Sequence, residues 1–399
     1  MAVLIVGVSE TGVSNLPASL QDRIAAADYI IAAPRFHKGL PDGPKVEAWP
    51  TPFSDVFARI DALRDRQLVI VATGDPMWYG VGATIQRRLG AGACEVIPAV
   101  SGFQMAATRM GWPLANCETL SIHGRPARSI LPRLYPRAKL LLLAENSRSA
   151  GEIAALLTDA GYGAARLSAL AHIGGDEEAR FDGVVSSWDH TDIPDFHILA
   201  VDCADCHNPA DGFALPDNAF VSSGKMTKRD ARASALAKLA PFPGAVFWDV
   251  GCGSGAVAVD FLRQAPRGSA FAIDRDANQI DMAKQNAVAL GVPHLQTIHG
   301  DLPEALANLP QPDAVFIGGG LSADLVTRVY KALQSGGVIV AHCVTIESET
   351  LLTSMWQKFG GNLARLSVHH ADPVGGFHGW RPLMPVTQWH LVKPVGDAT

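Results

Sequence analysis

Short apolar runs recur along the chain, most ending in glycine or an acidic residue and followed by helical periodicity. Runs without polar alternation read as strands buried on both faces, as parallel sheets between helix layers require. In the first half they fall at 3–8, 29–32, 68–72 and 94–98, with a short helix over 20–27. Strand-like stretches over 120–125, 138–144, 165–170 and 196–201, with an alanine- and leucine-rich helix over 149–160, predict a second lobe. Residues 207–220 are turn-rich and lack any period. Further strands follow at 246–250, 270–273, 295–299, 312–317 and 338–342. The tail reads as a hairpin whose long, glycine-rich connection leads into a strand over 386–392. The pattern predicts an α/β chain of two domains, 1–207 and 221–399, joined by a linker over 208–220.

Composition narrows the functions. The 399 residues are 48% hydrophobic and 18% charged, as in a globular protein. No run of about eighteen apolar residues suggests a membrane span, and the apolar start at Met1 lacks the basic flank of a signal peptide. A cytoplasmic protein is expected. The formal charge of −6 lies wholly within residues 1–215, and residues 216–399 are balanced. Neither half has the basic excess of a nucleic-acid binder. The six cysteines are scattered, as in a reducing compartment. Cys203-Ala204-Asp205-Cys206-His207 has the spacing of a haem attachment site, but without an export signal neither haem nor any other metal is expected.

The richest segment is the strand 246–250 with its turn, Asp249-Val250-Gly251-Cys252-Gly253-Ser254-Gly255. The glycines permit close approach of a ligand to the backbone, and the turn feeds a helix N-terminus for which Ser254 is an available cap. The next strand ends in Asp274, about 20 residues on, where a doubly wound fold places its ribose-binding acid. The strand after it leads into Gly300-Asp301. Asp-x-Gly-x-Gly-x-Gly followed by these acids resembles the class I S-adenosylmethionine (SAM) methyltransferases. That resemblance implies a Rossmann-like fold with Asp249, Gly251, Gly253, Gly255, Asp274 and Asp301 around the cofactor.

In the first half, a strand runs into Gly74-Asp75-Pro76-Met77-Trp78-Tyr79-Gly80, and Pro98 precedes Ser101 by three residues. These segments resemble the tetrapyrrole methylase family, a two-lobed class III SAM fold, and imply that Gly74, Asp75 and Ser101 line a second cofactor cleft. The first loop, Gly7-Val8-Ser9-Glu10-Thr11-Gly12, departs from that family's Gly-x-Gly-Pro-Gly.

Other residues carry substrate or catalytic readings. Thr227 is placed to cap a helix with Asp230 at its third position, as in a capping box. The cations around that helix start, Lys225, Arg229 and Arg232, oppose the helix dipole and call for an anion. Arg35 is a further candidate for a substrate carboxylate. Trp380-Arg381 either stacks on and pairs with a flat anionic substrate or anchors the fold. His342 and Glu347 are weak candidates for a base beside plainer readings as packing or capping residues. The strand at 312–317 runs into glycines instead of Asn/Asp-Pro-Pro-Tyr, which disfavours methylation of base amines.

A class III fold followed by a class I fold, with Met226-Thr227-Lys228 before the second, resembles the precorrin-6B C5,15-methyltransferase (decarboxylating) family of cobalamin synthesis. The resemblance spans nearly the whole chain. It implies one SAM site per domain and a tetrapyrrole (precorrin) substrate. Two meso carbons would be methylated and an acetate carboxyl lost as carbon dioxide. No nucleic-acid or membrane partner is implied, and relatives of the class I branch suggest a homo-oligomer. An RNA methyltransferase and a non-catalytic SAM-binding regulator are the alternatives.

Overall fold

The computed structural model describes residues 3–207 and 211–396. It divides into two units. One takes in the chain up to Ala127 and again from Tyr135 through the first half; the other takes in Arg128–Leu134 and the second half.

The first lobe of the first unit is a parallel sheet. Its strands are β1 (Val3–Val8), β2 (Tyr29–Ile31), β3 (Lys45–Glu47), β4 (Leu68–Thr73) and β5 (Cys94–Ile97), in the order β3-β2-β4-β1-β5. Every residue of β1 is buried. Leu4, Val6 and Val8 share a core with Leu20 and Ile24 of helix α1 (Ala18–Ala25). Val3 and Ile5 face α2 (Asp55–Ala62) and α3 (Val81–Leu89). This two-sided burial is why the run lacks polar alternation. Helix α4 (Gly102–Met110) leads into a mixed second sheet. That sheet contains β6 (Glu118–Ser121), β7 (Lys139–Leu143), β8 (Arg166–Ala171), β9 (Ala179–Val184) and β10 (His197–Asp202), in the order β6-β7-β10-β8-β9. Helix α5 (Ser149–Asp159) covers part of it. The strand expected over 120–125 stops at Ser121. Gly124 takes φ 64°, and Arg125 N–H donates to the Ile122 carbonyl (3.1 Å), making a turn.

The second unit opens with α6 (Arg229–Leu239). Strands β11 (Val246–Val250), β12 (Ser269–Asp274), β13 (Gln296–His299), β14 (Ala314–Ile317) and β15 (Val338–Cys343) run parallel. They alternate with α7 (Ala256–Gln264), α8 (Ala277–Ala289), α9 (Ala323–Ala332) and α10 (Ile346–Phe359). Strand β16 (Asn362–Leu366) follows, then β17 (His369–Val374) and β18 (Phe377–Pro382), and finally β19 (Val386–Val392). The seven-stranded order is β13-β12-β11-β14-β15-β19-β16, with β19 antiparallel to both its neighbours. The order reverses between β11 and β14, so a crevice opens beyond their carboxyl ends.

The tail differs from its expectation. The glycine-rich stretch is itself a hairpin, β17 on β18, turning at Gly375-Gly376, because an antiparallel pair satisfies the backbone that a loop would leave open. The expected linker differs as well. Its residues 208–210 lie outside the described residues, but Ala214, Leu215 and Phe220 are buried in the core of the second unit.

Candidate functional sites

In the second unit the glycine turn sits at the switch point. Gly251, Gly253 and Gly255 have φ of 67°, 54° and 75°, where side chains are strained. A Cβ on Gly251 would lie 2.6 Å from the Gly319 nitrogen, and one on Gly255 2.8 Å from Ala283 Cβ. Packing demands those two glycines. Around Gly253 there is room: a Cβ there would meet only Gln279 Oε1 at 3.7 Å, an ordinary contact, so this backbone is approachable by a ligand. Gly253 N–H donates to Asp274 Oδ2 (2.9 Å), and Asp276 N–H to Asp274 Oδ1 (3.0 Å). The acid at the end of β12 thus shapes the turn and remains half-buried beside it.

Asp249 lies beneath the turn, fully buried on β11. Its Oδ2 accepts from Ala258 N–H (3.0 Å), while Oδ1 has no partner. Burial pushes its carboxyl up to about 7, against the bond from Ala258. Ser254 Oγ is also buried without a partner. It does not cap α7: Gly255 holds the cap position in the left-handed conformation. Two orphaned polar atoms beside an open glycine fit a site that a polar ligand completes. Asp301 is exposed past the end of β13.

The expected substrate residues of this unit separate. Arg232 is not a free cation: it is completely buried. Its Nε donates to Asp260 Oδ2 (2.6 Å) and its Nη1 to Asp217 Oδ1 (3.0 Å) and the Thr227 carbonyl (2.6 Å). Nη2 donates to the Leu215 carbonyl (2.5 Å), and the guanidinium stacks on Phe220. It therefore clamps the stretch before α6 onto α7. Thr227 does not cap α6 either. Lys228 occupies that position without a side-chain bond, so the predicted box with Asp230 is absent. Lys225 is exposed; Arg229 is exposed but spends Nε on the Ala214 carbonyl (3.0 Å). Trp380 is 75% exposed on β18, so it is no buried anchor. Beside it, Arg381 pairs with Asp372 (3.3 Å).

The base candidates separate too. His342 is buried on β15, where the Gln388 amide donates to its Nε2 (2.7 Å). Burial holds its pKa down at about 4. The imidazole packs edge-on to Phe316 within the core, and its Nδ1 is buried without a partner. Glu347 is exposed in the first turn of α10, past the carboxyl end of β15.

The first unit holds a cleft of about 500 Å³ lined by Arg35, Gly74, Asp75 and Ser101, four of the expected residues. Gly74, at φ 64°, donates its N–H to the Val8 carbonyl (2.7 Å), joining the turns after β1 and β4. Asp75 Oδ1 accepts from Met77 N–H (2.8 Å). Ser101 is committed elsewhere: its Oγ accepts from Gln104 N–H (3.2 Å), and its own N–H donates to Gln104 Oε1 (2.8 Å). This capping box starts α4, which makes Ser101 a structural wall of the cleft. Arg35 is held between the rings of Phe36 and Phe196, bonds Thr73 Oγ1 and pairs with Glu10 (3.6 Å). His123, Arg125, Tyr79 and His197 also line the cleft. The guanidinium of Arg125 lies 5.3 Å from the centre of the Tyr79 ring. Only folding brings β6, β10 and the turn after β4 together, so no local motif marks His123, Arg125 or His197, while Tyr79 stands within the Gly74–Gly80 segment.

Among the described residues there is no group of three or more His, Cys, Asp or Glu placed for a metal, and no helix long and apolar enough to cross a membrane. Cys203 and Cys206 are buried free cysteines, and burial pushes the Cys203 thiol up to about 12.

Two family descriptions match the chain. "Tetrapyrrole (Corrin/Porphyrin) Methylases" matches residues 2–188, and "Precorrin methyltransferase domain" matches residues 218–393. A Sinorhizobium protein named precorrin-6Y C(5,15)-methyltransferase [decarboxylating] is 35% identical over 98% of this chain and 96% of its own. A Mycobacterium tuberculosis protein of the same name is 33% identical over 98% and 100%. A Pyrobaculum aerophilum protein named probable cobalt-precorrin-6B C(15)-methyltransferase (decarboxylating) is 35% identical over 43% of this chain and 92% of its own.

Proposed function

The chain belongs to the family of decarboxylating precorrin-6Y C(5,15)-methyltransferases, and on that premise we propose that it methylates two meso carbons of one precorrin and removes one carboxyl, each unit taking one methylation. It is a SAM-dependent C-methyltransferase. The observation that carries this reading is the 35% identity maintained over 98% of the chain. The archaeal relative, about the size of one unit, bears the name of a C(15) decarboxylating enzyme. Together with the match over 218–393, it supports giving the decarboxylating methylation to the second unit and the plain methylation to the first. These matches, over 2–188 and 218–393, support a two-domain chain divided between them. No observation favours an RNA substrate.

SAM, bound once in each unit, supplies an electrophilic methyl group. In the second unit the Gly253 backbone, Asp274 and Asp301 would hold it, with the orphaned Asp249 and Ser254 oxygens beneath; in the first, Gly74 and Asp75. Lys225, Thr227, Arg229, Trp380 and Arg381 in the second unit, and Arg35 and Arg125 in the first, would grip a flat polycarboxylate. The meso carbon of a reduced tetrapyrrole is enamine-like and nucleophilic in itself. The protein's contribution is then to bind, align and exclude water. In the decarboxylating step the electron pair of the broken C–CO₂ bond neutralises the cation left by methyl transfer and leaves a methylene on the side chain. That methylene takes up a proton as the methylated meso carbon gives one up, so the step releases no net proton.

The test is mass spectrometry of a precorrin incubated with SAM and the full chain. Two methyls gained and one carbon dioxide lost is the expected product. Gly253→Arg should remove the decarboxylating step alone and Asp75→Ala the other alone. SAM bound without any change in precorrin mass would refute the assignment. We further propose a cytoplasmic homo-oligomer; light scattering at the monomer mass would exclude the assembly.

A further inference from the structure

Replacing a meso C–H by C–CH₃ releases a proton, which a decarboxylating step takes up again on the side-chain carbon that lost its carboxyl. The plain methylation therefore has a net proton to dispose of, and the decarboxylating one does not. Given the assignment of the plain step to the first unit, on which this inference rests, we propose that His123 is the base that accepts that proton.

His123 lines the same cleft as Gly74 and Asp75. The turn after β6 presents it there, fixed by Gly124 in the left-handed conformation. Its side chain is exposed, and among the described residues no hydrogen bond engages it. Arg125, one residue beyond Gly124, offers a cation stacked on Tyr79 for a substrate carboxylate. An imidazole open to water can pass its proton on and be ready for the next turnover.

The other groups of the cleft are poorer acceptors. His197 donates from Nδ1 to the Pro194 carbonyl (2.7 Å), and its Nε2 is buried without a partner. Burial pulls its pKa down, so it resists carrying charge. Asp195 accepts from Ser147 N–H (2.8 Å), and Asp75 is folded into its own turn. Glu145 is exposed, but a carboxylate beside the carboxylates of the substrate is repelled by them. His172 is bound to Glu10 (3.0 Å) beside an adjoining cavity of about 40 Å³, too small for a macrocycle.

The electrons balance. The π pair of the meso carbon forms the new C–CH₃ bond as the sulfonium C–S bond breaks with its pair going to sulfur. The meso C–H pair then refills the ring π system, and the proton passes to His123 and on to water.

The experiment uses the full chain with precorrin and SAM, comparing wild type with His123→Asn and His123→Gln. Both variants should still perform the decarboxylating methylation, which shows that they are folded. Both should lose the plain methylation by about 10²–10⁴-fold and regain part of it with added imidazole. Independently of turnover, the His123 ring resonances, assigned by their absence in the variants, should shift when precorrin is added to wild type saturated with S-adenosylhomocysteine. A plain methylation at the wild-type rate in either variant overturns the proposal alone. So does a loss that imidazole leaves unrestored, or a silent His123 signal. Wild type that transfers no methyl to precorrin overturns the underlying assignment as well.

Discussion

Replacing Arg232 by alanine tests whether a buried cation is part of the scaffold or of the substrate site. The change leaves Asp260, itself only 2% exposed, without its charged partner. It also strips the Leu215 and Thr227 carbonyls of a donor. Breaking a buried pair from one side typically costs about 3–5 kcal/mol. For a unit of this size that corresponds to a fall in Tm of roughly 6–20 °C. In wild type, burial pushes Asp260 up to about 6 while Arg232 opposes the shift. A carboxyl whose folded pKa is raised holds its proton better folded than unfolded, so it costs stability as pH rises. Without Arg232 that rise is unopposed. The deficit of Arg232→Ala should therefore be larger above about pH 7 than below about 6, where Asp260 can be neutral. The assay is calorimetric melting of the full chain at both pH values: the transition of the second unit should drop and that of the first should not. The double variant Arg232→Met, Asp260→Leu should recover much of the loss, since no uncompensated charge remains. Unchanged melting of Arg232→Ala with a raised KM for precorrin would refute the reasoning and return Arg232 to the substrate site.

Ser101→Ala should cost about 1 kcal/mol through the lost cap and leave SAM affinity unchanged, as urea unfolding and titration calorimetry would show. Asp249→Asn should flatten the pH dependence of the second unit: the native acid, raised to about 7, makes stability fall as pH climbs from about 4 towards that value, and urea midpoints across the range would report it. Trp380→Ala, at a site 75% exposed, should change stability by less than about 0.5 kcal/mol while raising KM for precorrin in steady-state kinetics.

The strands around the glycine turn were legible because each signal is local: an apolar run, a glycine needing positive φ, an acid one strand later. The same local grammar misled at Ser254 and Thr227. Either residue type caps a helix well, but Gly255 and Lys228 hold those positions. Arg232 looked like a free cation because its partners lie 15 residues before it and 28 after. Residues 211–220 looked like linker because three buried side chains, Ala214, Leu215 and Phe220, are too few and too irregular to make a period. His342 read as a possible base, and the Gln388 amide that β19 brings against it, 46 residues on, was not legible. The cleft of the first unit was half legible: Gly74 and Asp75 sit in a motif, whereas His123, Arg125 and His197 converge only through the topology of both lobes.

The position of β19 bears on how the second unit is made in a cell. It lies between β15 and β16, hydrogen-bonded to both, and its Trp389 is fully buried. A ribosome delivers β15 and β16 first, so in the nascent chain two strand edges face an empty slot. The sheet closes only when residues 386–392 clear the exit tunnel and insert. Until then the exposed edges are open to mispairing. Translation halted short of residue 386 should thus yield, in place of a slightly shortened enzyme, a chaperone client with its core unsealed.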